Sequence, residues 1–395
     1  MKHRVIVVGR GMIGSATGRH LADLTDGVAL LGPSEPSDRA SHDGVFASHY
    51  DEGRMTRIVD PDPAWSITAK RSIERYADLE ARSGVRFFTD SGYLGFGDPG
   101  ADYLERSADR GLEHEARTER MDAVAIRTRF PFLSVADEIQ GLSERGTAGH
   151  ISPRGIVRAH NEVARQLGAS IIDDEATGLR FASSGVEVAT RRGRSLHADR
   201  VLLAVGAYTD ACGLLPVSLD LNVLGRTVLL ARLDADIASE LRGMPTLGHA
   251  ESGAYILPPI RYPDGHDYVK IGIGSPDDES LRSRAALSRW FKGVGSRDDS
   301  DRFREFIVAL IPALARCSHW HTSACAVTQT PNQLPYIDYV VRERVAVATG
   351  GNGKGAKSCD DWGWLAARLM TDADWDHPVS RDRLRLPDSA VQAAG

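Results

Sequence analysis

The apolar positions of the chain follow two rhythms. Four short stretches are apolar throughout, as strands buried on both faces of a parallel sheet are: Val5-Ile6-Val7-Val8, Val28-Ala29-Leu30-Leu31, Val201-Leu202-Leu203-Ala204-Val205 and 345–348. Between the first two, Ile13, Ala16, Thr17, Leu21 and Leu24 recur at helical spacing and predict a βαβ unit. Trp65, Ala69, Ile73, Tyr76 and Ala77 form one stripe of a helix expected over 65–81. From about 85 to 145 the chain is charge-rich, with a Phe130-Pro131-Phe132 break, and reads as an excursion into a second domain. A helix over 155–167, a strand over 170–172 and a hairpin around Arg192-Gly193 read as a return to the first. The span 216–324 holds the strands Ala254-Tyr255-Ile256-Leu257 and 268–273, then a helix carrying Phe303, Phe306, Ile307 and Leu310. A glycine-rich loop, Gly350 to Gly355, leads into an apolar helix with Trp362, Leu365, Leu369 and Met370. Residues past about 378 are polar and aperiodic, and read as an appended tail.

Composition narrows the class. A chain of 395 residues with 42% hydrophobic and 26% charged residues is expected to be globular with two domains. Its 48 basic and 54 acidic residues leave a net charge of -6, which argues against a nucleic-acid partner. No apolar run approaches the roughly 20 residues of a membrane helix. Met1-Lys2-His3-Arg4 passes directly into the first strand, so no signal peptide is expected. Four cysteines (Cys212, Cys317, Cys325, Cys359), none in a C-x-x-C pair, argue against a disulfide scaffold or a metal site. The expectation is a cytoplasmic protein with reduced thiols.

Gly9-Arg10-Gly11-Met12-Ile13-Gly14 is G-x-G-x-x-G set between strand and helix. The first glycine permits the turn, the second lets backbone approach a pyrophosphate, and the third lets helix pack on strand. In that setting the motif points to a dinucleotide. The acidic residue that usually ends the second strand, for the ribose hydroxyls, is replaced by Gly32, and Glu35 is the candidate substitute. The turn does not choose between FAD and NAD. A chain that leaves its first domain and returns twice, ending in a second glycine turn, suits a long cofactor stretched across both domains.

Three further segments carry a resemblance. Ser48-His49-Tyr50-Asp51-Glu52-Gly53-Arg54-Met55-Thr56-Arg57 is similar to an S-H-x-x-x-x-R-x-x-R segment. Ser323-Ala324-Cys325-Ala326-Val327-Thr328-Gln329-Thr330-Pro331, followed by Tyr336-Ile337-Asp338, is similar to a flavin-attachment segment. Thr349-Gly350-Gly351-Asn352-Gly353-Lys354-Gly355-Ala356-Lys357 is similar to a G-x-x-G-x-G-x-K turn. In this order, up to about residue 372, the sequence resembles the sarcosine oxidase-like branch of the D-amino acid oxidase superfamily of FAD enzymes. That branch includes N-methyltryptophan, pipecolate and fructosyl-amino-acid oxidases.

The resemblance implies an α/β fold. A Rossmann-type FAD-binding domain would comprise 1–85, 146–215 and 325–378, and an α+β, antiparallel-sheet substrate domain 86–145 and 216–324, with 379–395 as a tail. It places Arg54 near the flavin ring, Arg57 and Lys357 on a substrate carboxylate, and Cys325 in a covalent bond to the flavin. Ser48, His49, Thr177, Gly206, Gly351, Asn352, Gly353, Lys354 and Gly355 are counted with the opening turn among the cofactor contacts. Lys270 alternates with Val269, Ile271 and Ile273, and on pattern alone is an outward lysine on a half-solvated sheet. The resemblance instead sets it beside the flavin, assisting reaction with oxygen. Tyr255 is expected to wall the substrate. Two departures imply a reshaped pocket: Gly274 replaces an active-site histidine of sarcosine and methyltryptophan oxidases, and Val327 replaces an aromatic residue.

The expected activity is oxidation of a C–N bond of a secondary, cyclic or otherwise modified amino acid to an imine, with O2 reduced to H2O2. The rival readings are a flavin dehydrogenase that uses a carrier, an NAD-dependent dehydrogenase, and a non-catalytic flavin-binding protein.

Overall fold

A computed structural model describes residues 2–182 and 185–391. Two eight-stranded sheets share the chain. In the first, Lys2–Val8, Val28–Leu31, Ser170–Ile172, Val345–Thr349 and residues 197–203 of strand Ser195–Leu203 run parallel. All but the edge strand Ser170–Ile172 contain the continuous apolar runs, and both faces of those runs are covered. Ala176–Ala182 and Gly185–Thr190 add antiparallel strands on one side, and Tyr336–Val341 pairs with Val345–Thr349.

The second sheet is largely antiparallel. Its order is Trp320–Gln329, Asn222–Leu233, Asp267–Gly272, Tyr255–Arg261, Thr246–His249, Tyr93–Gly97, Gln140–Arg145 and Arg117–Asp122. Helix Arg297–Leu310 closes its core through Phe303, Ile307 and Leu310. Strand Trp320–Gln329 lies wholly in this sheet, so a domain boundary at 325 cuts through it. A small sheet of Arg54–Thr56, Gly149–Ile151 and Phe88–Thr89 joins the crossings between the two large ones.

Helix Met12–Leu24 packs against helix Gly355–Thr371 at close range, because Gly363 has no side chain. A Cβ there would fall 2.5 Å from that of Ala16. The same helix carries two buried carboxylates. Asp360 is held by Arg19, His20 and Arg75, and Asp361 by Arg71, Arg75 and His377. Buried charges of this kind persist only when paired.

Two sequence expectations change. The stretch 65–81 is two helices, Pro63–Glu74 and Tyr76–Ser83, hinged at Arg75. The first begins early because Asp62 caps Ala64 and Trp65 and Pro63 occupies the first turn. The segment read as a tail is docked as far as it is described: Val379, Leu384, Leu386 and Ala390 are buried, and Leu386 N donates to Asp338 Oδ2 at 3.2 Å. Among the described residues no helix is long and apolar enough to cross a membrane, and no His/Cys/Asp/Glu group is arranged to hold a metal ion.

Candidate active site

A cavity of about 690 Å³ starts at the first glycine turn, passes beside strand Trp320–Gln329 and ends at the second turn. Gly9 has a φ of +101°, and a Cβ on it would strike Ala204 O at 2.3 Å. Gly14 faces Gly9 O at 2.0 Å on the same test, so it serves helix packing and does not line the cavity. Gly11 is open: nothing approaches its missing Cβ closer than His49 Nδ1 at 3.8 Å. The unpaired N–H groups at the start of helix Met12–Leu24 therefore meet the cavity at Gly11, Met12 and Ile13.

At the far end Asn352, in a left-handed conformation (φ 48°), ties the second turn to the wall. Its N–H donates to Thr328 O at 2.9 Å, and its Oδ1 accepts from Thr330 N at 2.9 Å. Gly351, Gly353, Lys354, Gly355 and Lys357 line this end, and Gly206, Ser48, His49 and Tyr255 line the walls. Ser48 Oγ donates to Ala326 O at 2.9 Å, fixing the Ser48–His49 loop against the cysteine strand.

The lining suits a long, doubly anionic cofactor. Seven arginines and lysines line the cavity against one carboxylate, Glu175. Buried His49 Nδ1 has no hydrogen-bond partner among the described residues, and it faces the gap over Gly11. Burial, with Arg154, Arg54 and Arg10 nearby, pushes the His49 pKa down to about 3, so the ring is neutral. Gly11, the helix N-terminus and this orphaned nitrogen form a cradle for a pyrophosphate.

The sequence pattern of the FAD dependent oxidoreductase family matches residues 4–373. The chain belongs to this family. N-methyl-L-tryptophan oxidase of Salmonella arizonae is 24% identical over 370 residues, 93% of this chain and 94% of that protein. Glycine oxidase from Geobacillus kaustophilus superimposes with a TM-score of 0.75 at 19% identity, covering 98% of this chain and 99% of that one. L-proline dehydrogenase from P. horikoshii does so at 0.74 and 18%, covering 96% of each. The fold is thus that of an FAD-dependent oxidoreductase.

The distant charged residues assemble in two groups. In the first, Asp60 is fully buried and accepts from Lys357 Nζ at 2.6 Å and Lys354 Nζ at 3.0 Å, with Arg57 Nη2 at 4.0 Å. Burial alone would raise the Asp60 carboxyl, but Lys357, Lys354 and Arg57 hold it well below the usual carboxylate range. One carboxylate among three cations leaves this end of the cavity with a positive surplus. Arg57 is aimed by Tyr103 OH at 2.7 Å and by the Tyr93 ring, whose centroid lies 4.6 Å from Cζ. Its buried Nε has no partner among the described residues.

In the second group Asp51 pairs with both Arg54 and Lys270 and accepts from Tyr262 OH at 2.7 Å. Lys270 Nζ donates to Asp51 Oδ2 at 2.6 Å and to Gly53 O. The side chain is 1% exposed because both faces of strand Asp267–Gly272 are covered, so the half-solvated alternative fails. Lys270 stands behind the cavity wall and does not line it. Arg54 Nη2 donates to Ser48 O at 2.9 Å and lies 3.5 Å from Cys325 Sγ.

Two expected cofactor contacts are displaced. Thr177 is exposed at an irregularity in strand Ala176–Ala182, and its Oγ1 donates to Ala189 O; Glu175 and Ala176 line the cavity instead. Glu35 is outside the lining because Arg154 grips both of its oxygens, at 2.6 and 2.7 Å. Arg10 explains Gly32: a Cβ there would lie 2.9 Å from Arg10 N, and Arg10 Nε donates to Gly32 O at 2.7 Å. Sequence reasoning missed Asp51, Asp60, Tyr103 and Arg226; the first lay inside a motif already singled out.

Lys357 has a pH consequence. Burial pulls its pKa down to about 7 against the opposing pull of Asp60, with Arg57 and Lys354 adding to the depression. Below that pH the ammonium is charged and favours an anion in the cavity; above it the charge is lost. Binding of a non-oxidisable monocarboxylate such as propionate is therefore expected to weaken as pH rises, approaching tenfold per unit above about pH 7. Titrating the dissociation constant in the wild type and in Lys357→Met checks this, and a profile that is equally steep in both removes Lys357 from the effect.

Proposed function

We propose that this protein oxidises a C–N bond of a secondary, cyclic or otherwise modified amino acid to the imine and passes the electrons to dioxygen, giving hydrogen peroxide. The observation that carries the reading is the surplus of cations (buried Lys357, part-buried Arg57 and Lys354) around buried Asp60 at the end of the cavity next to the second glycine turn. A planar guanidinium with an orphaned Nε and a neighbouring lysine suit a carboxylate.

Gly9, Gly11, Met12, Ile13, His49 and the turn 351–355 are the residues that would hold FAD, which supplies a two-electron acceptor. Arg57 and Lys357 bind and orient the amino acid through its carboxylate, so that its C–H is presented in one direction. Tyr255 closes one wall, and its ring fills the space above Gly272. Neither lining histidine is suited to act as a base: both ring nitrogens of His249 are engaged, by Ser252 Oγ at 2.9 Å and Glu251 at 3.2 Å, and His49, its pKa pulled down to about 3 by burial, is too weak a base. A substrate amine that enters uncharged needs none. It loses two electrons and two hydrogens, O2 takes up both, and water hydrolyses the imine.

Anaerobic mixing with a panel of N-alkyl and cyclic amino acids, followed by air, tests the reading. Bleaching of the yellow protein, then recovery with one equivalent of peroxide, is the expected result; no bleaching with any member defeats it. A second reading, electron transfer to a carrier, is favoured by one observation: Asp51 already pairs with the Lys270 ammonium. No recovery in air, with rapid recovery on adding an electron carrier such as a quinone, would select it.

Cys325 is the proposed point of covalent attachment. Its Sγ lines the cavity, and the neighbouring Arg54 guanidinium supplies a counter-charge for a thiolate nucleophile. Forming the thioether releases two electrons, which dioxygen accepts. Acid precipitation of the wild type should give a yellow pellet, and Cys325→Ser a white pellet under a yellow supernatant. A white wild-type pellet removes the bond while leaving FAD in place.

A further inference from the structure

Arg226 is a cation of the cavity that neither the glycine turns nor the clamp at Asp60 accounts for. It lies on strand Asn222–Leu233 directly opposite Cys325, so both side chains leave the sheet on the same face. Both line the cavity. Its guanidinium occupies the ground above Gly274: a Cβ at 274 would lie 3.0 Å from Nη1 and 3.1 Å from Cζ and Nη2. Any side chain at 274 would displace it.

The arginine is braced from behind. Asp278, 3% exposed, pairs with its Nη1 and also accepts from Ser275 N at 2.8 Å, while the Ser275 carbonyl lies 3.5 Å from Nη1. Both braces meet the Nη1 end, leaving the Nη2 and Nε edge among the described residues for a ligand. The same design recurs at Asp60: a buried carboxylate behind, a cation in front. The cavity lining also includes the short residues Ala250, Gly253 and Ala254, and Gly253 is open above its Cα, whereas the spaces over Gly248, Gly272 and Gly274 are filled by Tyr93, Tyr255 and Arg226 itself.

Resting on the amino-acid reading above, we propose that Arg226 is a second carboxylate receptor and that the substrate is a dicarboxylic amino acid. Its α-carboxylate is held by Arg57 and Lys357, and its second carboxylate by the free edge of Arg226. A fork of N–H donors matches a carboxylate in geometry and charge, whereas an apolar side chain of equal length would leave that edge desolvated and unpaired.

The test compares glutarate with butyrate on the FAD-loaded protein, by perturbation of the flavin spectrum and by thermal shift. Glutarate is expected to bind about tenfold tighter or more. In Arg226→Met that advantage disappears while butyrate affinity is retained. Arg226→Met leaves Asp278 buried without its cation, so Arg226→Met/Asp278→Asn is run alongside to separate folding from recognition. Equal affinity for the two acids in the wild type, or an advantage that survives in either variant, overturns the proposal. Binding of neither acid, with no amine bleaching the flavin, instead overturns the amino-acid reading beneath it. Turnover of N-methylglutamate against an N-carboxymethyl amino acid then shows which part of the substrate bears the second carboxylate, and preference for either over its monocarboxylate counterpart supports the proposal.

Discussion

On the proposed oxidase reaction, Lys270→Met is expected to slow the reaction of the reduced enzyme with dioxygen by about a hundred- to a thousandfold, while anaerobic oxidation of the amine keeps its rate. The first electron gives oxygen a negative charge, and removing one preorganised charge-stabilising group from a water-excluded site typically costs about 2.7–4 kcal/mol. Lys270 is rigid: it is almost fully buried and fixed by Asp51 at 2.6 Å and by the Gly53 carbonyl, and the Asp51 contact favours its charged form against burial and Arg54, which pull its pKa well below the usual lysine value. Because Lys270 stands behind the cavity wall, it acts on the developing anion as a fixed charge through space and not by a direct hydrogen bond. Asp51 offsets part of the charge, which places the effect at the lower end of that range. Methionine is the informative replacement because it is unbranched and of similar length, and Asp51 keeps Arg54 and Tyr262 as partners. Stopped-flow mixing of pre-reduced protein with oxygen measures the step alone. Unchanged oxygen reactivity in the variant would show that Lys270 contributes nothing to it.

The parts of this site that were legible in the sequence are those fixed by local sterics. The first strand, its glycine turn and the following helix must appear in that order, and the missing side chains at Gly9 and Gly14 are required by contacts of 2.3 and 2.0 Å with nearby carbonyls. The apolar runs gave away the parallel strands because those strands are covered on both faces. Strand Arg117–Asp122 was illegible for the opposite reason: it is mostly solvent-facing, and its charges read as a loop.

The counter-ions are a different case. Asp60 meets Lys357 across 297 residues of chain and Asp51 meets Lys270 across 219, and no periodicity carries such a pairing. Motif similarity led to the cations but not to the acids behind them, and those acids decide how much charge each cation shows the cavity. Glu35 illustrates the limit from the other side. Its distance from the glycine turn along the chain suited a ribose contact, but Arg154, far away in sequence, takes both of its oxygens. At Thr177 a one-residue irregularity turns the side chain out of the lining while Ala176 stays in it, which no local pattern in the sequence signals.

Arg57→Met should lower kcat/KM for a carboxylate-bearing amine by about a hundred- to a thousandfold with FAD content unchanged. Truncating one partner of a buried charge pair costs about 2–5 kcal/mol, and each 1.4 kcal/mol is about a factor of ten. Arg57 makes no contact to the glycine turns; its partners are Tyr103, Tyr93, Met55 and, at 4.0 Å, Asp60. Losing it therefore strips the clamp without loosening the cofactor cradle. Because the carboxylate also sets the direction of the reacting C–H, the loss should appear in kcat as well as KM. Lysine at this position restores a charge but not the fork, so Arg57→Lys should recover only part of the activity. A substrate cycle isolates the interaction: removing the carboxylate from the amine should cost the wild type heavily and the variant little. If both proteins lose the same factor on that change, Arg57 is not the carboxylate ligand, and the cations around Asp60 serve the fold or the cofactor instead.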